Sequence, residues 1–229
     1  GFQNILVEKP GGINEDEIAC LDEAAKEHNA KVFIAYNRRF YASVQKAREI
    51  IAQDGGVTSF CFEFTEWGHT IRGLDKNQQV KDAWLLANSS HVIDMAFFLG
   101  GEPKEWNSYC QGKVDWGNCS AVYAGAGISH MGALFSYCAN WEAPGRWAVE
   151  VLTPLHRLIF KPLEKLQIQQ KGSIEIKNAE LADGLDMQFK PGLYKQVEAF
   201  LHSDRGSLVS IADQRLNMKV YNKIKNGRT

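Results

Sequence analysis

Apolar and polar positions alternate along this chain with two different periods. Residues 4–7, Asn4-Ile5-Leu6-Val7, make a short apolar run of the kind buried in a parallel sheet. Pro10-Gly11-Gly12 ends it. Asn14 is positioned to cap a helix that carries Glu15, Asp16 and Glu17 in its first turn, where the helix dipole favours negative charge. Ile18, Leu21 and Ala25 fall on one face of that helix, and it ends near His28-Asn29. A second apolar run follows at 32–35. Two strands and one helix do not make a stable sheet by themselves. The pattern therefore predicts part of a larger α/β sheet over residues 1–40.

Residues 41–51 read as a helix stopped by Asp54-Gly55-Gly56. The period then changes to two. Phe60, Phe62 and Phe64 alternate with Cys61, Glu63 and Thr65, and Phe135, Tyr137, Ala139 and Trp141 alternate with Ser136, Cys138 and Asn140. Further strands are predicted at 105–111, 120–125, 146–152, 157–161 and 166–170, joined by short polar or glycine turns that suit antiparallel pairing. Helices are predicted at 89–99, closed by Gly100-Gly101, and at 193–202 and 211–224. The predicted fold is an α/β remnant in residues 1–40 followed by α+β in 41–229: an open, mostly antiparallel sheet with helices on one face. Phe60, Phe62 and Phe64 form one apolar row, Phe135, Tyr137 and Trp141 a second, and Trp147, Val149 and Val151 a third. Leu134, Cys138 and Leu152 add apolar surface on the opposite face. One helical layer is not expected to cover all of these, so a homo-oligomer built through the sheet face is predicted.

Composition narrows the class. The chain is 45% hydrophobic and 23% charged, which excludes disorder as its main state. A net charge of −1 gives no reason to expect nucleic acid or an anionic membrane as partner. No apolar run approaches the roughly 20 residues that span a bilayer. The N-terminus meets Glu8 and Lys9 before any apolar leader develops. Five cysteines with no C-x-x-C spacing argue against a disulfide framework and against a zinc ribbon. The expectation is a cytoplasmic protein with reduced thiols.

Three groups of residues could carry chemistry. Glu8-Lys9-Pro10 stands at the end of a buried strand, where ligands bind in open α/β sheets; the alternative is a solvated strand-end lysine. Asn88, His91 and Asp94, three residues apart on an otherwise apolar helix, form a polar stripe that needs partners or a cleft. His91 suits general-base chemistry, with a hydrogen-bonded core histidine as the alternative. No second histidine cluster stands nearby, so no metal is expected. Trp67, His69, Arg72 and Trp84 flank a polar loop and could hold a sugar or an anion, or simply face water. Gly125-Ala126-Gly127 is not a dinucleotide loop, because His130 stands where the third glycine would be and no helix follows.

The order of these pieces is familiar. Ile5-Leu6-Val7-Glu8-Lys9-Pro10, a helix, Ala35-Tyr36-Asn37-Arg38-Arg39-Phe40, then Ser90-His91-Val92-Ile93-Asp94 with Gly100-Gly101 after it resembles the Gfo/Idh/MocA family of NAD(P)-dependent oxidoreductases. The resemblance runs over the whole chain. It implies that the glycine-rich dinucleotide fingerprint would precede Glu8, so that residues 1–40 are the residual end of a Rossmann-type domain and 41–229 the substrate-binding and oligomerisation domain. It implies NAD or NADP for the intact parent, with this chain by itself binding neither and inactive.

The resemblance also assigns residues. Glu8, Lys9 and Pro10 would meet the cofactor. Lys9 would lie against the nicotinamide ring and the substrate hydroxyl, and His91 would take the hydroxyl proton. The family's Asp-x-x-x-His pattern places an aspartate where this sequence has Ala87, and Leu85-Leu86 replace the usual glycine pair. Asn88 or Asp94 would then orient the imidazole. Asn88, Asp94, Arg72 and Trp84 are the expected substrate-binding residues. The implied reaction is hydride transfer at a secondary alcohol of a sugar, nucleotide-sugar or polyol. The alternative is a non-catalytic binding or assembly module derived from the same family.

Overall fold

The computed structural model describes residues 1–202 and 206–227. In chain order, β1 (Asn4–Glu8), α1 (Glu15–Glu27) and β2 (Lys31–Ala35) lead through a 3₁₀ turn (Asn37–Phe40) into α2 (Ala42–Gln53) and β3 (Ser59–Glu63). Two short helices, α3 (Gly68–Arg72) and α4 (Gln78–Asp82), precede a π turn (Leu85–Ser89) that runs directly into α5 (Ser90–Gly100). Seven strands follow: β4 (Pro103–Gln111), β5 (Val122–Ser129), β6 (Leu134–Asn140), β7 (Ala148–Leu152), β8 (His156–Phe160), β9 (Gln167–Gln170) and β10 (Ile176–Asn178). The chain closes with α6 (Gly184–Gln188), α7 (Leu193–Leu201), β11 (Val209–Ser210) and α8 (Ile211–Asn226).

The amino end forms the predicted α/β unit. β1 and β2 pair in parallel with Ile5 opposite Val32 and Val7 opposite Ile34. Asn14 caps α1 as expected, its Oδ1 accepting the Glu17 N–H at 2.8 Å. The sequence pattern does not foretell β11, which adds to β2 in antiparallel sense. α8 then docks on α1, where Arg215 meets the buried Asp22 at 3.2 Å. Ser210 and Asp213 cap α8 reciprocally.

The large sheet has eight strands in the order β10-β9-β8-β7-β3-β6-β5-β4. Every pairing is antiparallel except β3 with β6. The predicted open, mostly antiparallel sheet is therefore present, and so is the helical cover. α5 is buried along nearly its whole length against β3 and β7. Such burial explains why this helix is apolar on every side rather than on one stripe. Gly125 and Gly127, rejected as a dinucleotide loop, lie in β5, where a Cβ at Gly125 would run into the Tyr137 ring.

The expectation that one helical layer would leave apolar rows uncovered needs correction. Phe60 lies opposite both Phe135 and Val151, and Phe62 opposite both Tyr137 and Val149. In-register partners on adjacent strands share a face. All three rows therefore point to the same side and are buried beneath the helices, with Phe60 stacked on Phe135 at 5.4 Å and Phe62 on Tyr137 at 5.3 Å. One helical layer does cover them. The outer face carries Cys61, Glu63, Ser136, Cys138 and Glu150, with Leu134 the large apolar side chain most open to water, at 63% exposure.

Candidate active site

Lys9 follows the last residue of β1, at the carboxyl end of the parallel pair. Its Nζ donates to the carbonyl of Ala87, 78 residues away in sequence. Ala87 belongs to the π turn, whose widened backbone leads into the helix that carries His91. Two motifs that are far apart in sequence thus meet at one point. α8 supports this junction: Gln214 Nε2 donates to the Pro10 carbonyl at 2.9 Å and to the Tyr36 hydroxyl at 3.1 Å. Tyr36 in turn packs edge-on to His91, with ring centroids 6.1 Å apart.

His91 is buried and its Nδ1 has no hydrogen-bond partner among the described residues. The methyl side chain of Ala87 offers that nitrogen no acceptor. The two proposed substitutes do not supply the support. Asn88 turns its amide to Glu66, 3.0 Å from each carboxylate oxygen. Asp94 gives both oxygens to Arg39, at 2.8 and 2.6 Å. The expected polar stripe of Asn88, His91 and Asp94 is thus divided, because the π turn breaks the helical register at Asn88 and a buried arginine claims Asp94. Asp94 is part of a structural ion pair.

Charge around His91 is strongly one-signed. Burial, followed by the Arg38, Lys9 and Lys190 charges, pushes its pKa far below the ordinary histidine value, so the ring is neutral at working pH. Burial, reinforced by Arg38, lowers Lys9 to about 8, although Glu8 and Glu66 oppose the shift.

Glu66 is the residue that sequence reasoning missed. It follows the phenylalanine-rich strand and is only 2% exposed. It accepts from Asn88, from Ser89 Oγ at 2.7 Å and from Trp147 Nε1 at 3.3 Å, and Arg146 approaches to 3.5 Å. Burial raises its pKa, partly opposed by Ser89, Arg146 and Asn88. Its only sequence signal is an acid placed directly after an alternating strand. Trp147 lies beside His91, with centroids 6.4 Å apart.

Glu66 also forms one wall of an open cavity of about 670 Å³ lined by Trp67, His69, Arg72, Trp116 and Trp141. Here the third predicted group divides. Trp67, His69 and Arg72 line the cavity, but Arg72 is exposed and paired with Asp115 at 2.7 Å. Trp84 does not line it; it is buried edge-on to Trp116 with centroids 6.0 Å apart. Among the described residues no group of three or more His, Cys, Asp or Glu side chains could hold a metal, and no helix is long and apolar enough to cross a membrane.

The helix that follows Lys9 does not offer a diphosphate site. Pro10-Gly11-Gly12 does lead into a helix, but α1 opens with Glu15, Asp16 and Glu17, which repel an anion at its amino end. A Cβ at Gly11 would meet Ile34, so that glycine serves strand–helix packing.

No family model and no curated protein matches the sequence. Solved structures do match in fold. Levoglucosan dehydrogenase in complex with NADH and levoglucosan superposes with a TM-score of 0.75 at 19% identity, over 98% of this chain and 71% of that one. UDP-N-acetylglucosamine 3-dehydrogenase GnnA from Acidithiobacillus ferrooxidans gives 0.71 at 15% identity, over 97% and 69%. An NAD binding oxidoreductase from Klebsiella pneumoniae gives 0.73 at 18% identity, over 98% and 71%. The chain has the fold of these oxidoreductases. That is the fold implied by the motif order of the Gfo/Idh/MocA family.

Proposed function

We propose that this chain forms the substrate-binding and assembly part, residues 41–229, with the end of a dinucleotide-binding part, residues 1–40, of an NAD(P)-dependent oxidoreductase. The substrate is a secondary alcohol of a sugar, nucleotide-sugar or polyol. The neighbours in fold include dehydrogenases of levoglucosan and of UDP-N-acetylglucosamine, which supports this class. The observation that carries the reading is the meeting of Lys9 with the turn that starts the His91 helix.

A bound NAD(P) would supply the hydride-accepting ring beside Lys9. The neutral imidazole of His91 accepts the hydroxyl proton. Its Nδ1 is sealed from solvent, so Nε2 is the nitrogen that takes it. The Lys9 ammonium steadies the oxygen as it becomes an alkoxide. Asn88, held by Glu66, keeps its side-chain oxygen for a substrate hydroxyl.

The test is the pH dependence of NAD(P)-linked oxidation by a form of the protein that carries the dinucleotide-binding part. Lys9 must be protonated to stabilise the alkoxide, so kcat/KM falls as pH rises through about 8. Lys9→Arg keeps its charge at those pH values, so its residual activity loses that limb. An unchanged limb in Lys9→Arg, or full activity in Lys9→Met, rejects this role.

We also propose a homo-oligomer through the outer sheet face. Ala124, Ala126, Ser136 and Cys138 leave a flat surface of small side chains there, on which a second sheet can lie closely. Light scattering at micromolar concentration should give a multiple of 25.7 kDa. A stable monomer would reject the interface.

A further inference from the structure

Arg38 and Arg39 are adjacent in the 3₁₀ turn after β2, and both are largely buried, yet the fold treats them differently. Arg39 is neutralised by Asp94 with two hydrogen bonds. The Arg38 side chain makes neither an ion pair nor a hydrogen bond among the described residues, and its Nε is sealed from solvent without an acceptor. Its guanidinium lies 4.9 Å from the Trp147 ring centroid and 5.9 Å from that of Tyr41. Ring contacts recover only part of what burial of a charge costs. Glu164 and Glu66 act on Arg38 from a distance without forming a pair.

A second guanidinium approaches the same indole. Arg146 lies 4.8 Å from Trp147 and 4.8 Å from Trp67. Its ion-pair partner among the described residues, Glu66, already serves Asn88, Ser89 and Trp147. Trp147 is the ring beside His91, so Arg38 and Arg146, the latter half exposed and paired with Glu66, both lie against a ring that borders the candidate proton acceptor. Lys9 and Lys190 add to the same field, and among the described residues no acidic group offsets it at His91. A histidine in such a field is a weak base until an anion arrives.

We propose that the substrate is an acidic sugar or polyol, one that carries a carboxylate or phosphate close to the reacting carbinol, and that Arg38 with Arg146 receives that oxyanion. A guanidinium fork matches either group with paired hydrogen bonds. The bound anion would also offset the cationic field at His91 and restore its basicity where the proton must be taken. This assignment rests on the oxidoreductase reading for its carbinol but not for its anion site.

The experiment is calorimetric titration of the 229-residue chain with glucuronate, its uncharged methyl ester, glucose 6-phosphate and glucose. Glucuronate or the phosphate should bind roughly ten- to a hundredfold more tightly than the ester and glucose. The stronger of the two acids identifies the oxyanion. Arg38→Gln should abolish the preference, and Arg38→Lys should restore part of it. Binding of the acid should also raise the pKa of His91, read from its imidazole resonances. Equal affinity for glucuronate and its ester overturns the proposal even if the Arg38 variants fail to fold. So does an Arg38-dependent affinity for NADH with no preference for acids. An acid that binds by these criteria but is not oxidised with NAD(P) by a form of the protein that carries the dinucleotide-binding part would leave the anion site standing and reject the oxidoreductase reading.

Discussion

Replacing His91 by asparagine lowers turnover by about 10²–10⁴-fold in any form of the protein that oxidises its substrate with NAD(P), the range associated with losing a general base. Asparagine is chosen because His91 is buried between Tyr36 and Trp147, and alanine would open a cavity there. Asparagine fills most of the volume and cannot accept the proton. The loss should fall on kcat at every pH where Lys9 is charged, with substrate affinity little altered. Thermal melting must accompany the kinetics. A variant that melts much earlier yet keeps near-normal turnover would make His91 a packing residue of the core.

The largest effect on stability is expected at Asp94. Its carboxylate is sealed in the core and holds the mostly buried Arg39 with two short hydrogen bonds. Burial works against the Arg39 charge and Asp94 more than offsets it, so the guanidinium stays protonated. Asp94→Ala strands that cation. Removing one partner of a buried pair costs about 3–5 kcal/mol. For a chain of this size that corresponds to a fall of roughly 6–20 °C in melting temperature. Replacing both partners, Asp94→Leu with Arg39→Met, should recover much of the loss, since no unpaired charge remains. Urea denaturation of the three variants measures the coupling. If Asp94→Ala costs less than about 1 kcal/mol, the pair is not the buried, ionised bridge described above.

Both predictions concern residues on one helix turn that the sequence pattern treats alike. Asn88, His91 and Asp94 share the three-residue spacing of a helix face. The structure gives them three different jobs because of what arrives from elsewhere in the chain. Arg39 comes from the turn after β2, Glu66 from the loop after β3, and Trp147 from the start of β7. No spacing within α5 could reveal these partners. Glu66 and Trp147 themselves have no local signature, since an acid after a strand or a tryptophan before one is ordinary sequence. Arg38 is visible only as part of a motif. Its lack of a partner is a property of the packed protein.

The chain's periodicity determined most of its elements. The unbroken runs at 4–7 and 32–35, the capped helix between them and the alternating aromatic strands all follow from local patterning, and each is present. Motif order implied the fold through its resemblance to the Gfo/Idh/MocA family, and the solved oxidoreductase structures share that fold. Tertiary structure decided the rest. Alternation says that Phe60 and Val151 each have a buried side, but only strand pairing decides that the two sides coincide. The apolar rows therefore fill one core and do not spread over two faces. The π turn, β11 and the charge pattern at His91 likewise arise from contacts between segments far apart in sequence, where packing and electrostatics act on groups that local patterning cannot bring together.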